Sequence, residues 1–432
     1  MFGEPRGGIM FIQFSVGNYL SFREVVTFSM VASPLKEHAE THLFEANKYF
    51  KLLKIGTLYG ANASGKSNLF KAMAFMAGFV ENSSKDSQAE EEINVENFRL
   101  STDTQDKPST FEIVFIQDGI RYRYGFQVSS VKVKSEWLFQ ATKQAETKLF
   151  QRSGKDFEIS NLFKEGKDLD TKTRDNALFL SVVAQFNGET AISILKWFKN
   201  FNVISDLKDS YAHIASRFLG DSYLKKVFVD FIKTVDLGIE DIKVEKRPFP
   251  EFFIAKDLKI KGMNLKFKGT EITEILTLHK KYDLNQQFAG YESFQMNKNE
   301  SQGTQKLFSL LGPVLESLLQ GKVLVIDELD SRLHPLITNF IISLFNSTEH
   351  NPHNAQLIFN THDTNLLSNK VFRRDQIWFT EKDKFGESHL YSLVEYKIKV
   401  RNDASYEKDY LLGKYGAIPF LGEFRFGDSY GE

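Results

Sequence analysis

At 432 residues the chain is long enough to bury a large core and to form two or three domains. Its 55 Lys and Arg stand against 56 Asp and Glu, which excludes nucleic-acid binding through bulk charge and leaves only a local basic face for that purpose. The absence of cysteine excludes disulfides, zinc–thiolate sites and a thiol nucleophile, and suits a reducing, cytoplasmic setting.

No apolar run approaches the ~20 residues of a membrane span. The longest, residues 336–345, is short and interrupted by polar positions. Residues 1–9 lack the apolar segment of a signal peptide, and Met10 is an alternative start. A cytoplasmic protein with no membrane partner is therefore expected. The 41 phenylalanines read mainly as core.

In chain order, residues 11–14 and 25–28 predict two strands around Asn18-Tyr19-Leu20-Ser21-Phe22. Tyr19 or Phe22 could stack on an adenine; packing within a small β layer is the plainer reading. Residues 54–59 predict a short apolar strand. It runs into Gly60-Ala61-Asn62-Ala63-Ser64-Gly65-Lys66-Ser67, which fits the P-loop pattern at every required position. Leu69, Met73, Met76 and Val80 then recur at helical spacing. Strand, glycine loop and helix are the context the motif needs. Backbone N–H groups and the helix N-terminus would face phosphates. Lys66 would reach the β- and γ-phosphates of ATP, and the Ser67 hydroxyl would hold Mg²⁺.

Residues 82–92 read as a polar surface loop, with Glu90-Glu91-Glu92 as a solvated face. Residues 110–140 predict an antiparallel meander: Phe111, Ile113 and Phe115 alternate, Asp118-Gly119 turns, and Tyr122, Tyr124 and Phe126 alternate again. A further strand is expected around 128–133. Arg121 and Arg123, with Lys132 and Lys134, could meet a phosphate backbone, but a wet sheet face is the simpler reading. Residues 171–235 read as helical without sustained heptads, so no long coiled coil is expected. Residues 236–282 turn β-like. There Lys259, Lys261, Lys266 and Lys268 interleave with Leu258, Ile260, Leu265 and Phe267, the most nucleic-acid-like patch of the chain; lysine also keeps exposed strands soluble.

The second half of the chemistry lies further on. Glu300-Ser301-Gln302-Gly303-Thr304-Gln305-Lys306 opens a helix whose buried side carries Leu307, Leu310, Leu311, Val314 and Leu318, with Pro313 inside. Bare amides at that helix start make a second anion site. One nucleotide already has its cradle at the P-loop, so this site points to another molecule's γ-phosphate. Val323-Leu324-Val325-Ile326 is a buried strand ending in Asp327-Glu328, a Walker B pattern. Asp327 would bind water on Mg²⁺, and Glu328 would polarise the attacking water. Gln356-Leu357-Ile358-Phe359 predicts another buried strand, ending in Asn360-Thr361-His362-Asp363. His362 at the C-terminal edge of a parallel sheet could sense the γ-phosphate or bind the attacking water.

These four pieces in this order resemble the ATP-binding-cassette ATPases of the SMC and RecF-like branch. Gly60 to Ser67 matches the Walker A, and Ser301-Gln302-Gly303-Thr304-Gln305 matches the signature loop. Val323 to Glu328 matches the Walker B with its catalytic glutamate, and His362 matches the switch histidine. One departure is Leu333-His334, where transporter cassettes carry Leu-Asp. The resemblance implies an α/β P-loop NTPase of cassette type with an antiparallel β layer and an inserted helical and β subdomain. The corresponding division is 1–150, 151–285 and 286–432. It also implies Mg²⁺-dependent hydrolysis in a homodimer or higher oligomer, with Ser301 and Gly303 acting on a neighbour's ATP.

Residues 11–30 and 176–187, and the tail from Arg401-Asn402-Asp403 to Tyr410-Leu411-Leu412-Gly413-Lys414-Tyr415-Gly416-Ala417-Ile418-Pro419, look like prokaryotic abortive-infection ATPases. That narrower resemblance implies an anti-phage sensor or regulator paired with an effector, such as a Toprim-like nuclease, and triggered by nucleic acid or a phage protein. An SMC/RecF-like DNA-repair or DNA-binding ATPase is the alternative. The tail would dock on the cassette or on a neighbour.

Overall fold

The computed structural model describes residues 8–85, 91–204, 218–248, 271–396 and 404–419. The chain opens with strands β1 (Met10–Gly17) and β2 (Val26–Ser29), followed by the short hairpin β3 (Leu43–Asn47) and β4 (Phe50–Leu53). Strand β5 (Ile55–Gly60) is buried at every position and leads into helix α1 (Lys66–Asn82). Leu69, Met73, Met76 and Val80 lie on the buried side of α1, as their spacing requires.

Next come β6 (Ser109–Gln117), β7 (Ile120–Val128), β8 (Val133–Ala141), β9 (Thr147–Ser153) and β10 (Asp156–Ile159). Helices α2 (Phe179–Gln185) and α3 (Glu189–Lys199) precede β11 (Phe201–Ile204). Then follow α4 (Ser222–Thr234), β12 (Ile239–Pro248), β13 (Glu271–Tyr282), β14 (Phe288–Gln295) and α5 (Gln302–Gln320). The last stretch holds β15 (Val323–Ile326), α6 (Pro335–Asn346), β16 (Gln356–Asn360), β17 (Ile377–Lys382), β18 (Ser388–Ser392) and α7 (Tyr406–Leu411).

Two compact units result. The first comprises Met1–Ser205, Ser317–Ser331 and Asn339–Glu432; the second comprises Asp206–Glu316 and Arg332–Thr338. This differs from the expected division. Residues 151–204 fall in the first unit because β9 and β10 complete its antiparallel sheet, in the order β10-β9-β8-β7-β6-β1-β2. Residues 286–316 fall in the second unit, where β14 pairs with β13.

The first unit also holds a six-stranded sheet in the order β11-β15-β16-β5-β17-β18. From β11 to β17 all neighbours are parallel, and β18 closes one edge antiparallel. Parallel strands bring their C-terminal ends to one edge, and in open α/β sheets that edge takes the ligand. The architecture is thus α/β with a P-loop strand in a parallel sheet and a separate antiparallel layer, as the fold class expects. Strand β11 corrects the helical reading of 171–235. A four-residue strand is too short to show a period, and its pairing with β15, Ile204 opposite Ile326, comes from the tertiary fold.

The meander forms as read. Asp118 and Gly119 both have positive φ, 52° and 78°, the two left-handed residues of a type I′ hairpin turn. The following strand begins at Val133 rather than near 128, because Ser129 to Lys132 close a turn. Arg123 pairs with Glu112 at 3.0 Å and Glu146 at 2.9 Å, and Arg121 with Glu146 at 3.8 Å, so this arginine edge is a neutralised sheet face. The lysine patch at 258–268 lies outside the described residues, as do Glu90 and Arg401 to Asp403.

Aromatic packing dominates the first unit. Tyr19 is buried edge-on against Phe111, and Phe22 is fully buried, so both are core rather than base-stacking groups. Phe201 stacks between Phe11 and Trp197 at 5.8 and 5.1 Å. The tail docks on its own chain: Tyr410 stacks on Phe379 at 5.5 Å, and Tyr391 Oη donates to the Tyr415 carbonyl at 2.7 Å.

Glu136 is wholly buried. It accepts from Tyr124 Oη at 2.9 Å and from the N–H groups of Phe179 and Leu180 at 2.7 and 3.0 Å, and it faces buried Arg152 at 3.8 Å. It therefore caps α2 and neutralises a guanidinium. Removing one partner of a buried pair costs ~3–5 kcal/mol, the loss expected for Glu136→Ala in urea unfolding. An unchanged midpoint would contradict this role.

In the second unit, β12, β13 and β14 form an antiparallel sheet, and Phe228 of α4 meets Phe308 of α5 edge-on at 5.0 Å. Leu307, Leu310, Leu311 and Val314 are buried along α5 as the sequence pattern requires, and the helix accommodates Pro313. No helix among the described residues is long and apolar enough to cross a membrane.

Candidate functional site

The P-loop joins β5 to α1 by a tight path. Gly65 has φ 116°, a conformation that a side chain would strain, and a Cβ there would come 2.4 Å from Ser388 Oγ. Ala63 also takes positive φ, at 60°. The loop is braced from below. Ser64 Oγ and Thr380 Oγ1 share a hydrogen bond of 2.7 Å, and Ser388 Oγ donates to the Ser64 carbonyl at 2.6 Å. Asn68 Nδ2 donates to Ser21 Oγ at 2.8 Å. Asn62 and Ala63 remain exposed at the tip.

Lys66 is 5% exposed, and its Nζ donates to the carbonyls of Gly60 and Ala61 at 2.7 and 2.9 Å. Burial pulls its ammonium down to about 8, while the charges of Glu328, Asp327 and Asp330 act in the opposite direction. A desolvated ammonium whose hydrogen-bond partners among the described residues are two neutral carbonyls fits an anionic ligand, which would satisfy it better.

The fold carries the acids to the same place. Ser67 Oγ donates to Asp327 Oδ1 at 3.0 Å. A hydroxyl and a carboxylate side by side are the hard oxygen donors that suit Mg²⁺. Glu328 follows with φ 55° and an exposed side chain. His362 is exposed after β16, and its backbone N–H donates to Asp330 Oδ2 at 3.2 Å. The first unit thus brings together Lys66, Ser67, Asp327, Glu328 and the His362 segment.

Ser301, Gln302, Gly303, Thr304 and Gln305 belong to the second unit. Ser301 and Gln302 are exposed, and Thr304 is buried. Ser301 Oγ accepts from the Thr304 N–H at 3.1 Å, the capping bond that starts α5. A Cβ on Gly303 would lie 2.8 Å from the Arg332 carbonyl, so the close approach requires glycine. Leu333-His334 runs straight into α6, where His334 Nδ1 accepts from the Leu336 N–H at 3.2 Å.

Sequence reasoning missed two groups. Ser21, in the turn after β1, and Thr380 and Ser388, on β17 and β18, support the P-loop from far along the chain, and no local pattern marks them. Asn360 is fully buried and contacts both Asp327 and Glu328. Its signal was available: an amide directly after the apolar run Leu357-Ile358-Phe359.

A family model described as "AAA domain, putative AbiEii toxin, Type IV TA system" matches residues 57–368. No curated protein matches the chain. Similar solved structures include an SMC head bound to the C-winged helix domain of ScpA. It shares 13% identity, with 89% of this chain and 98% of that chain covered and a TM-score of 0.43. The SMC head domain from Thermotoga maritima also shares 13% identity, covering 90% of this chain and 99% of its own, with a TM-score of 0.38.

Proposed function

This chain belongs to that AAA-domain family, and from there we propose that it is a Mg²⁺-dependent ATPase working as a nucleotide-driven switch. The observation that carries the reading is the meeting of Ser67 and Asp327, 3.0 Å apart, beside the buried Lys66. Lys66 and the loop amides from Gly60 to Ser67 bind the phosphates. Ser67 and Asp327 hold Mg²⁺, which supplies charge neutralisation at the phosphates when bound. Glu328 orients the attacking water and takes its proton, and His362 contacts the γ-phosphate side.

Two copies close around two ATP molecules, with Ser301 and Gly303 of one copy completing the site of the other. Hydrogen bonds to charged phosphate contribute ~1.5–3 kcal/mol each. A few made only in the closed state suffice, since about 5.5 kcal/mol moves an equilibrium from 1:99 to 99:1. Hydrolysis removes those contacts and resets the switch.

The biological role we assign is the regulatory subunit of an anti-phage, abortive-infection system that controls a partner nuclease of Toprim-like or other type. The family description, with its toxin and toxin–antitoxin wording, supports that assignment. The test is twofold. Phosphate release by the purified chain should require Mg²⁺ and stop in EDTA. The product of the neighbouring gene should co-purify in an ATP-dependent way. DNA-stimulated turnover with a steep salt dependence would instead favour an SMC/RecF-like DNA-repair ATPase.

A further inference from the structure

Strand β16 lies between the P-loop strand β5 and the acid-bearing strand β15, and all five of its residues are buried. Four of its positions begin as the run Gln356-Leu357-Ile358-Phe359, and the fifth is Asn360. A fully buried carboxamide must find partners for both ends, because an unmet polar group there costs ~1–3 kcal/mol. Asn360 finds them on the neighbouring turn. Its Oδ1 accepts the Glu328 N–H at 2.6 Å, and its Nδ2 donates to Asp327 Oδ1 at 2.5 Å. Its backbone carbonyl accepts the Leu329 N–H at 3.2 Å. Three consecutive residues after β15 are therefore tied to one residue of β16.

The orientation of the amide follows from chemistry. A backbone N–H can only donate and a carboxylate can only accept, so both partners demand the same placement of oxygen and nitrogen. Two consequences follow. With one oxygen held by Asn360 and Ser67, the Asp327 carboxylate is not free to rotate, and its second oxygen keeps one direction. The left-handed turn at Glu328, φ 55°, is unfavourable for a side-chain-bearing residue and is held in place by the bond to its N–H. Asp330 answers from the other side by accepting the His362 backbone N–H. The acid turn and the histidine segment are thus clasped in both directions.

We infer that Asn360 is a positioning residue: it sets the direction of the Mg²⁺-binding carboxylate of Asp327 and the backbone turn that aims Glu328. This rests on the ATPase reading above. Its effect is felt through the metal and the chemical step, not through the phosphate cradle, whose own bonds run to Thr380, Ser388 and Ser21.

The test compares the natural chain with Asn360→Asp and Asn360→Ala. Asn360→Asp keeps the shape and the acceptor for the Glu328 N–H, but sets an oxygen against Asp327. Calorimetry with a non-hydrolysable ATP analogue is run in Mg²⁺ and in EDTA, alongside turnover of ATP. Altering a group that orients a metal ligand typically costs 10–100-fold. For Asn360→Asp we expect the Kd in EDTA to match the natural chain, while the tightening by Mg²⁺ and kcat each fall by about that factor. Asn360→Ala should show the same pattern with the lower kcat of the two, because the Glu328 turn is also freed. Natural Mg²⁺ dependence and natural kcat in both variants would overturn the inference. So would an equal loss of affinity in EDTA and in Mg²⁺, which would mark Asn360 as a support of the fold alone. A natural chain that binds no nucleotide in either medium would instead overturn the ATPase reading itself.

Discussion

Glu328→Gln should bind ATP with Mg²⁺ as the natural chain does and turn it over about 10²–10⁴-fold more slowly, the usual range for a lost general base. The two side chains have the same shape, and the left-handed backbone at this position comes from the turn rather than from the carboxylate. Asp327, Ser67 and Lys66 are untouched, so phosphate and metal binding persist. The amide still hydrogen-bonds a water but does not accept its proton. Single-turnover phosphate release and a separate Kd measurement check the two halves. Turnover within a factor of about two of the natural chain would remove Glu328 from the chemistry, since a change that small is far below the general-base range.

Lys66→Ala should lose ATP binding. The ammonium is buried, and the Gly60 and Ala61 carbonyls are its hydrogen-bond partners. Phosphate oxygens would replace those neutral acceptors with charged ones. Two such bonds at ~1.5–3 kcal/mol each correspond to about two to four powers of ten in Kd. Alanine also removes the cross-brace from Lys66 to the loop's own carbonyls. Calorimetry reads the loss directly, and unchanged affinity would count against the whole loop assignment.

The parts of the site that were legible in the sequence are those whose chemistry is local. The P-loop carries its glycines, lysine and serine within eight residues, and α1 displays its buried face at regular spacing. Val323 to Ile326 and Leu357 to Phe359 are apolar on both faces, as suits strands in the middle of a parallel sheet. What stayed hidden depends on pairing between distant segments. Phe201 to Ile204 are a strand only because Val323 to Ile326 lie alongside. Ser388 braces Ser64 across more than three hundred residues of chain, so no window contains both. Tyr19 and Phe22 looked able to meet a base, but Phe111 and the β layer enclose them. Asn360 was read only as the neighbour of His362, because an amide's role is set by what faces it.

The division into units was hidden for a related reason. Residues 151–204 look unlike the strands before them, yet β9 and β10 complete the sheet that β1 begins, and β11 pairs with β15 far downstream. Ser301 and Gly303 stand in a unit of their own with respect to the Walker residues, and Ser301 is exposed.

The mass of Glu328→Gln in solution, by light scattering with and without ATP and Mg²⁺, tests the sharing of nucleotide between two copies most directly. The account predicts one copy per particle without nucleotide and two or more with it, because hydrolysis no longer undoes the closed form. The same single-copy mass under both conditions, with ATP shown to be bound, would contradict it.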